Sequence, residues 1–326
     1  MRLLVTGGAG FIGSTFVRRL LAGHRDVAVT VVDLLTYAGN LANLAPVLDD
    51  PRLTFIRGDI ADGAMLTALV PSHEAIVNFA AESHVDRSIA GSQAFVDTNV
   101  SGTHALLRAA LHAGTERFVQ VSTDEVYGSI EFGSWHERSP LDPNSPYAAT
   151  KAAADLLALS FARTHGLHVS ITRCGNNYGP RQHPEKMIPL FITNLLDGLP
   201  VPLYGDGRNV RHWIHVDDHC RAVQLVLEKG LAGSVYHVAG GQELSNRDVT
   251  ERLIAACGAG AAKVREVADR PGHDFRYSLA GDSLTSLGFV PQVHVDGGFP
   301  ATVDWYRRNR SWWEPLKVAA ATGGRR

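Results

Sequence analysis

The chain has 326 residues, 45% hydrophobic and 20% charged, with 31 basic against 33 acidic side chains for a formal net charge of −2. It is long enough to bury a full core without disulfide or metal staples, which excludes collagen-like, disordered and mini-protein readings. A balanced charge without a run of Lys or Arg leaves no electrostatic footprint for nucleic acid or an anionic bilayer, so neither is expected as a partner.

In chain order, short β-branched runs at 2–6, 27–33, 53–57, 75–80, 117–122 and 168–173 alternate with longer segments of helical periodicity. Runs that are apolar throughout, such as Ala28-Val29-Thr30-Val31-Val32, suit strands covered by helices on both faces. The expected fold is α/β: a doubly wound parallel Rossmann-type sheet with a smaller carboxyl-terminal α/β substrate domain. Pro, Gly and Asn mark 176–184 as a long irregular connection. The expected division is therefore 1–175 and 176–326, with a segment near 234–240 returning to the first sheet. Helices are predicted at 185–196, 217–229 and after Ser245, where Ser-Asn-Arg-Asp offers a capping box. The last residues, Thr322 to Arg326, read as a solvated tail.

No apolar run approaches the roughly 20 residues that span a bilayer, and Leu3-Leu4-Val5 is too short for a signal-peptide core. A cytoplasmic location is expected. Cys174, Cys220 and Cys257 show no C-x-x-C spacing and read as buried small hydrophobes. The 15 histidines form no H-x-x-x-H pair or His/Cys cluster, so no metal is assigned.

Thr6-Gly7-Gly8-Ala9-Gly10-Phe11-Ile12-Gly13 follows the first strand and opens the first helix. Such glycines let the backbone approach a pyrophosphate held at the positive end of a helix. Asp33 ends the second strand, twenty residues beyond Gly13, where a carboxylate accepts from a ribose diol. Leu34 follows it rather than an Arg, which favours NAD over NADP. The alternative reading of Asp33 is a solvated strand end, and that of Asp59 a helix cap rather than an adenine neighbour.

Tyr147 and Lys151 lie one helical turn apart in Ser-Pro-Tyr-Ala-Ala-Thr-Lys. A lysine cation and a positive nicotinamide favour the phenolate and should lower its pKa, making Tyr147 a base. The fifth strand delivers Thr123, Asp124 and Glu125 at its carboxyl end, where open α/β sheets bind ligands. Two adjacent carboxyl groups there can divide into an acid and a base if their surroundings separate their pKa values.

These residues carry a resemblance. Gly7-Gly-Ala-Gly-Phe-Ile-Gly13, Asn78-Phe-Ala-Ala-Glu-Ser-His-Val-Asp-Arg87, Thr98-Asn-Val100, Ser122-Thr-Asp-Glu-Val-Tyr-Gly128, Tyr147 with Lys151, and Asn176-Asn-Tyr-Gly-Pro180 resemble the extended short-chain dehydrogenases/reductases. Within them the nearest likeness is to the dTDP-glucose 4,6-dehydratase family, through Pro184-Glu-Lys-Met-Ile-Pro-Leu190, Tyr204-Gly-Asp-Gly207 and Asp269-Arg-Pro-Gly-His-Asp274 to Trp312-Trp313.

The resemblance implies a redox-neutral dehydration. Sugar C4 gives a hydride to NAD while Tyr147 takes the 4-hydroxyl proton with Thr123 close by. Glu125 then removes the C5 proton and Asp124 protonates the departing C6 hydroxyl, after which the hydride returns to C6. It further implies cofactor contacts from Gly7, Gly10, Phe11, Ile12, Gly13, Asp33, Leu34, Thr36, Asp59, Ile60, Ala80, Ala81, Ser83, Thr98, Tyr147, Lys151 and Asn177. The hexose and its phosphates fall to Ser83, His84, Thr123 and Asn176. The nucleotide falls to Glu185, Lys186, Met187, Ile188, Pro189 and Leu190 with Pro202, Leu203 and Tyr204, and the diphosphate to Arg211, Asn246, Arg270 and His273. Two departures stand out: His212 occupies a usual Asp or Glu position, and Gly175 a usual Ser or Cys.

The same superfamily implies a homodimer built on two helices per subunit, with Ala109, Ala110, Ala113, Ala152, Ala153, Leu156 and Leu157 as contact surface, unless those faces are buried within one subunit. Trp305, Trp312 and Trp313 read as packing residues. The rival readings are a nucleotide-sugar 4-epimerase, which needs no Asp124-Glu125 pair, and a catalytically silent NAD-binding regulator. Arg181-Gln-His-Pro-Glu-Lys186 resembles enzymes of antibiotic-sugar pathways.

Overall fold

Alternation along β1 (Arg2–Thr6) sends Leu3 and Val5 to one side and Leu4 to the other, and all three are fully buried. That two-sided burial is the signature of a sheet covered by helices on both faces. The computed structural model describes residues 1–260, 263–269 and 272–321. Arg270 and the 322–326 tail therefore lie outside the described residues.

The main sheet comprises β1, β2 (Ala28–Asp33), β3 (Leu53–Arg57), β4 (Ala75–Asn78), β5 (Arg117–Thr123), β6 (Val169–Cys174) and one later strand, all parallel. Two short strands, β7 (Asn176–Tyr178) and β8 (Val201–Tyr204), then β9 (Val210–His215), precede β10 (Ser234–Val238), and β11 (Gln242–Ser245) and β12 (Val264–Val267) follow. The order in the seven-stranded sheet is β10-β6-β5-β4-β1-β2-β3, so the direction of winding reverses between β1 and β4. Ligands bind at the carboxyl ends of strands beside such a reversal. The strand β10 lies against β6, pairing Val238 with Cys174. Two small sheets, β11-β9-β7 and β12-β8, stand apart.

The helices are α1 (Phe11–Gly23), α2 (Gly63–Leu69), α3 (Val85–Ala90), α4 (Gln93–Phe95), α5 (Thr103–Ala113), α6 (Pro146–His165), α7 (Met187–Leu196), α8 (Val216–Lys229), α9 (Asn246–Cys257), α10 (Asp282–Ser286), α11 (Val295–Arg308) and α12 (Arg310–Ala321). One core packs α1 and α8 against the face carrying Leu3, Val5, Val29 and Val31; a second packs α5 and α6 against Leu4, Ile76, Phe118 and Ile171. A third joins α7, α9, α11 and α12 around Tyr178, Phe299 and Trp313. Ser245 caps α9 in a capping box with Asp248. Trp313 is fully buried and Trp312 donates to Asn43 at 3.1 Å, so both serve packing. Cys174 and Cys220 are buried free thiols and Cys257 is half-buried.

Ahead of α5 the chain is not plain α-helix: Val96–Gly102 forms a π turn between α4 and α5. Ala110 and Ala152 are 0% and 5% exposed, the burial within one subunit left open above: Ala110 packs among α5, α6 and the sheet, and Ala152 against Val126, Tyr127 and Leu279. Leu156 remains 57% exposed and Val96 38% exposed on this flank. No helix among the described residues is long and apolar enough to cross a membrane.

Candidate active site

The glycine turn is built by steric exclusion. Gly7 has φ +68°, and a Cβ there would lie 2.6 Å from the Ala80 nitrogen; one on Gly13 would lie 2.3 Å from the Gly7 carbonyl oxygen. Helix α1 therefore starts hard against the end of β1. Gly10 occupies its N-cap without a side-chain cap, and no acidic residue stands in its first turn. An uncapped helix start facing a cleft is an anion cradle.

Asp33 is not the solvated strand end weighed above: it is buried, 8% exposed. Its Oδ2 accepts from Ala9 N at 2.9 Å and its Oδ1 from Leu35 N at 2.8 Å, so it braces the glycine turn. Each oxygen keeps a second acceptor position for a diol. Burial pushes its pKa up. Asp59 accepts from Ala61 N at 2.8 Å within a turn and lines the cleft; it is not the helix cap weighed above, because Asp62 caps α2. All the cofactor positions expected from the sequence line one cavity of about 360 Å³, together with Thr123, Asp124, Glu125 and Asn176. That size suits a small-molecule site.

Ser145 accepts from Ala148 N at 3.1 Å and Pro146 takes the first helical position, so α6 begins just before Tyr147. One turn on, Lys151 donates to the Val121 carbonyl of β5 at 2.7 Å, which fixes the helix over the strand that carries the acidic pair. Burial lowers the Lys151 pKa to about 8, with the Asp155 carboxylate opposing.

Thr123 ends β5 and caps the next turn, its hydroxyl accepting from Glu125 N and donating to Asp124 Oδ1, both at 3.2 Å. The other oxygen of Asp124, Oδ2, is buried without a partner among the described residues. Burial first, then the charge of Glu125, raise the Asp124 pKa to about 8, against the pull of Arg211. Asp124 is therefore held toward its neutral form at pH 7, and it lines the cleft. Tyr147 departs from expectation. Burial and the nearby Glu125 and Asp124 charges hold its pKa well above 10, and only the Thr123 hydroxyl pulls it down. The expected lowering needs a cation that the protein alone does not place there.

Sequence reasoning missed the residues that hold this frame. Asn99 on the π turn accepts from Glu82 N at 2.9 Å and donates to Glu82 O and Thr150 Oγ1 at 3.0 Å, tying the loop after β4 to α6. Asn78 joins β1 and β5 through Thr6 at 2.6 Å and Gln120 at 2.8 Å. Behind α6, Asp155 pairs with Arg173 at 2.8 Å, Arg173 donates to the Tyr127 hydroxyl at 2.5 Å, and Tyr127 meets His237 at 2.6 Å. The usable signal was polar side chains inside otherwise apolar strands.

The remaining substrate positions fall into two groups. Met187, Ile188, Glu185, Lys186 and Ser83 line the cavity. Glu185 is already held by Arg87 at 3.1 Å with His84 at 3.8 Å, and Lys186 donates to Ser83 O at 2.8 Å. Pro189 is buried and Leu190 half-buried in α7, outside the cavity lining. Away from the cavity, Tyr204 and His273 meet edge to face at 6.2 Å, with His273 also on Asp269 at 2.6 Å. Pro202 precedes Tyr204 on β8, whereas Leu203 is 1% exposed and turns inward, so its side chain is packing and not contact surface. Asn246 starts α9 beside Asn209.

Arg211, expected on a diphosphate, donates to the carbonyls of Val210, Asp274 and Phe275 at 2.8, 2.9 and 3.3 Å. It orders the 274–276 segment and lies near enough to Asp124 to affect it. The two departures meet each other: a Cβ on Gly175 would lie 2.6 Å from the His212 carbonyl oxygen, and His212 bonds Gly241 O at 3.0 Å. No group of three His, Cys, Asp or Glu residues suited to a metal occurs among the described residues.

Residues 4–298 match the family model for GDP-mannose 4,6 dehydratase. A dTDP-glucose 4,6-dehydratase from Streptomyces niveus is 59% identical over 97% of this chain and 96% of its own. The chain belongs to the dTDP-glucose 4,6-dehydratase family. A solved member from Streptomyces venezuelae, DesIV with NAD bound, superposes with a TM-score of 0.95 at 62% identity, covering 97% of this chain and all of that one. Beyond the family, a UDP-glucose 4-epimerase from Thermus thermophilus, also solved with NAD, gives a TM-score of 0.88 at 33% identity over 95% of this chain and all of its own.

Proposed function

We propose that the chain is an NAD-dependent dTDP-glucose 4,6-dehydratase that converts dTDP-glucose to dTDP-4-keto-6-deoxyglucose and water in deoxysugar biosynthesis. One observation carries the choice of dehydration: a neutral Asp124 with an unpartnered Oδ2 stands beside Glu125 in the cavity that also holds Tyr147.

The glycine cradle, the uncapped start of α1 and Asp33 fit a dinucleotide. When bound, NAD supplies the hydride acceptor for sugar C4 and the hydride donor for C6. Tyr147 takes the 4-hydroxyl proton; the Thr123 hydroxyl opposes the burial that otherwise holds its own proton, and a bound nicotinamide cation would add to that pull. The 4-ketone makes the C5 hydrogen acidic, and Glu125 removes it. The C5–H electron pair becomes the C5–C6 double bond as the C6–O bond breaks, and Asp124 delivers its proton to the departing oxygen as water. A proton returned to C5 completes the product.

Relatives named for dTDP-glucose and solved with NAD support substrate and cofactor. The exposed Leu156 and Val96 support a homodimer on the α5/α6 flank. A cytoplasmic location, and a product directed to a natural product, complete the reading; the second rests on the likeness of Arg181–Lys186.

The test is mass spectrometry after incubation with dTDP-glucose deuterated at C4. Loss of one water with the label on the new methyl group supports dehydration. A chromatographically distinct product of unchanged mass favours the 4-epimerase instead, and no turnover of dTDP-, UDP-, CDP- or GDP-glucose favours the silent regulator.

A further inference from the structure

His219 is 1% exposed, lines the candidate cavity and takes no part in the chemistry above. Its neighbours on α8 hold it firmly. Asp218 accepts from Gln292 N at 2.9 Å and Val293 N at 2.8 Å, and Cys220 lies 3.5 Å from the Ile12 carbonyl of α1.

The tautomer of His219 follows from its partners. Asn177 Nδ2 faces the Gly175 carbonyl at 3.0 Å, and a carbonyl only accepts, so that end of the amide is the donor. Asn177 Oδ1 then faces His219 Nδ1 at 2.9 Å, which must carry the ring proton. Burial lowers the His219 pKa to about 3, so the ring is neutral. Nε2 is left as a bare acceptor, buried and without a partner among the described residues. An unmatched buried acceptor is unfavourable, and a ligand donor removes that cost.

We propose that His219 is a positioning residue whose Nε2 accepts from the carboxamide N–H of the nicotinamide, while its Nδ1–H holds Asn177 in place. This rests on the dinucleotide reading of the cavity. The position selects the donor. Cys174, Asn177 and His219 gather at the end of β6, whose Cys174 pairs with Thr123 of β5, where the reacting groups lie. The adenine amine of the same cofactor belongs at the other end, by Asp33 and Asp59.

The test is a binding cycle by calorimetry on the protein stripped of cofactor. The probes are NAD, its 3-acetylpyridine analogue, which lacks the amide N–H, and ADP-ribose, which lacks the ring. His219→Asn keeps a donor toward Asn177 and removes the Nε2 acceptor. The unaltered protein should prefer NAD over the analogue about tenfold, the variant should lose that preference, and ADP-ribose should bind both proteins alike. Equal preference in both proteins, or equal weakening of all three probes in the variant, overturns the proposal. In the unaltered protein, ¹⁵N spectra should show His219 as the Nδ1–H tautomer at neutral pH, its Nε2 signal moving with NAD and not with ADP-ribose; an Nε2–H tautomer overturns it independently. If the unaltered protein binds none of the probes, the dinucleotide reading itself fails.

Discussion

Asp124→Asn should make the protein more stable and less active at once, and the structure gives the size of the first effect. In the unfolded chain an aspartate releases its proton near pH 4; in the fold burial delays release to about pH 8. Between those values the native state holds a proton that the unfolded state has given up. Stability from this group is therefore complete below about pH 4, falls as pH rises, and is fully lost above about pH 8. Four pH units correspond to roughly 5 kcal/mol as an upper bound, and relaxation around the new charge reduces this to an expected ~2 kcal/mol. Asparagine carries no such burden. Thermal melting without ligand should put Asp124→Asn ~3 °C above the parent at pH 8.5, the gap closing as pH falls toward 4. Dehydration should meanwhile slow by about 10²–10⁴. Coincident melting at pH 8.5, or a lower variant, would refute the claim that a desolvated carboxyl is held neutral here.

Three further outcomes are expected. Tyr147→Phe should cut kcat by about 10²–10⁴ in steady-state assays while NAD affinity, measured by calorimetry, stays close to the parent. Gly13→Ala forces a Cβ to 2.3 Å from the Gly7 carbonyl and should weaken NAD binding by at least about tenfold; Gly23→Ala, also in α1 but with open space around it, should leave binding unchanged. Arg173→Met strands Asp155 as an unpaired buried charge and should cost ~3–5 kcal/mol in denaturant unfolding, most of it recovered when Asp155→Leu is added.

The main sheet was legible because its strands are short, largely apolar and β-branched runs that helices must cover, as in Ala28–Asp33. The cofactor cradle was legible because only glycine survives at Gly7 and Gly13. The π turn at Val96–Gly102 was not, since it arises from Asn99 being drawn toward Glu82 and Thr150, residues distant in sequence. The direction of the Tyr147 shift was missed for a related reason. The helical spacing to Lys151 is local, whereas the burial and the carboxylates that dominate Tyr147 are assembled by folding. Arg211 was assigned to a diphosphate by resemblance alone; that three backbone carbonyls engage its donors depends on segments brought together only by folding.

One strand decides how this architecture can be re-engineered. Ser234–Val238 leaves the carboxyl-terminal region to seal the edge of β6, the strand that leads into Asn176 and Asn177. The two halves are thus interlaced, not strung end to end. A chimaera that swaps the carboxyl-terminal half between relatives must splice on both sides of that segment. A single crossover after residue 175 would leave the recipient sheet finished by a foreign strand at the base of the candidate cleft.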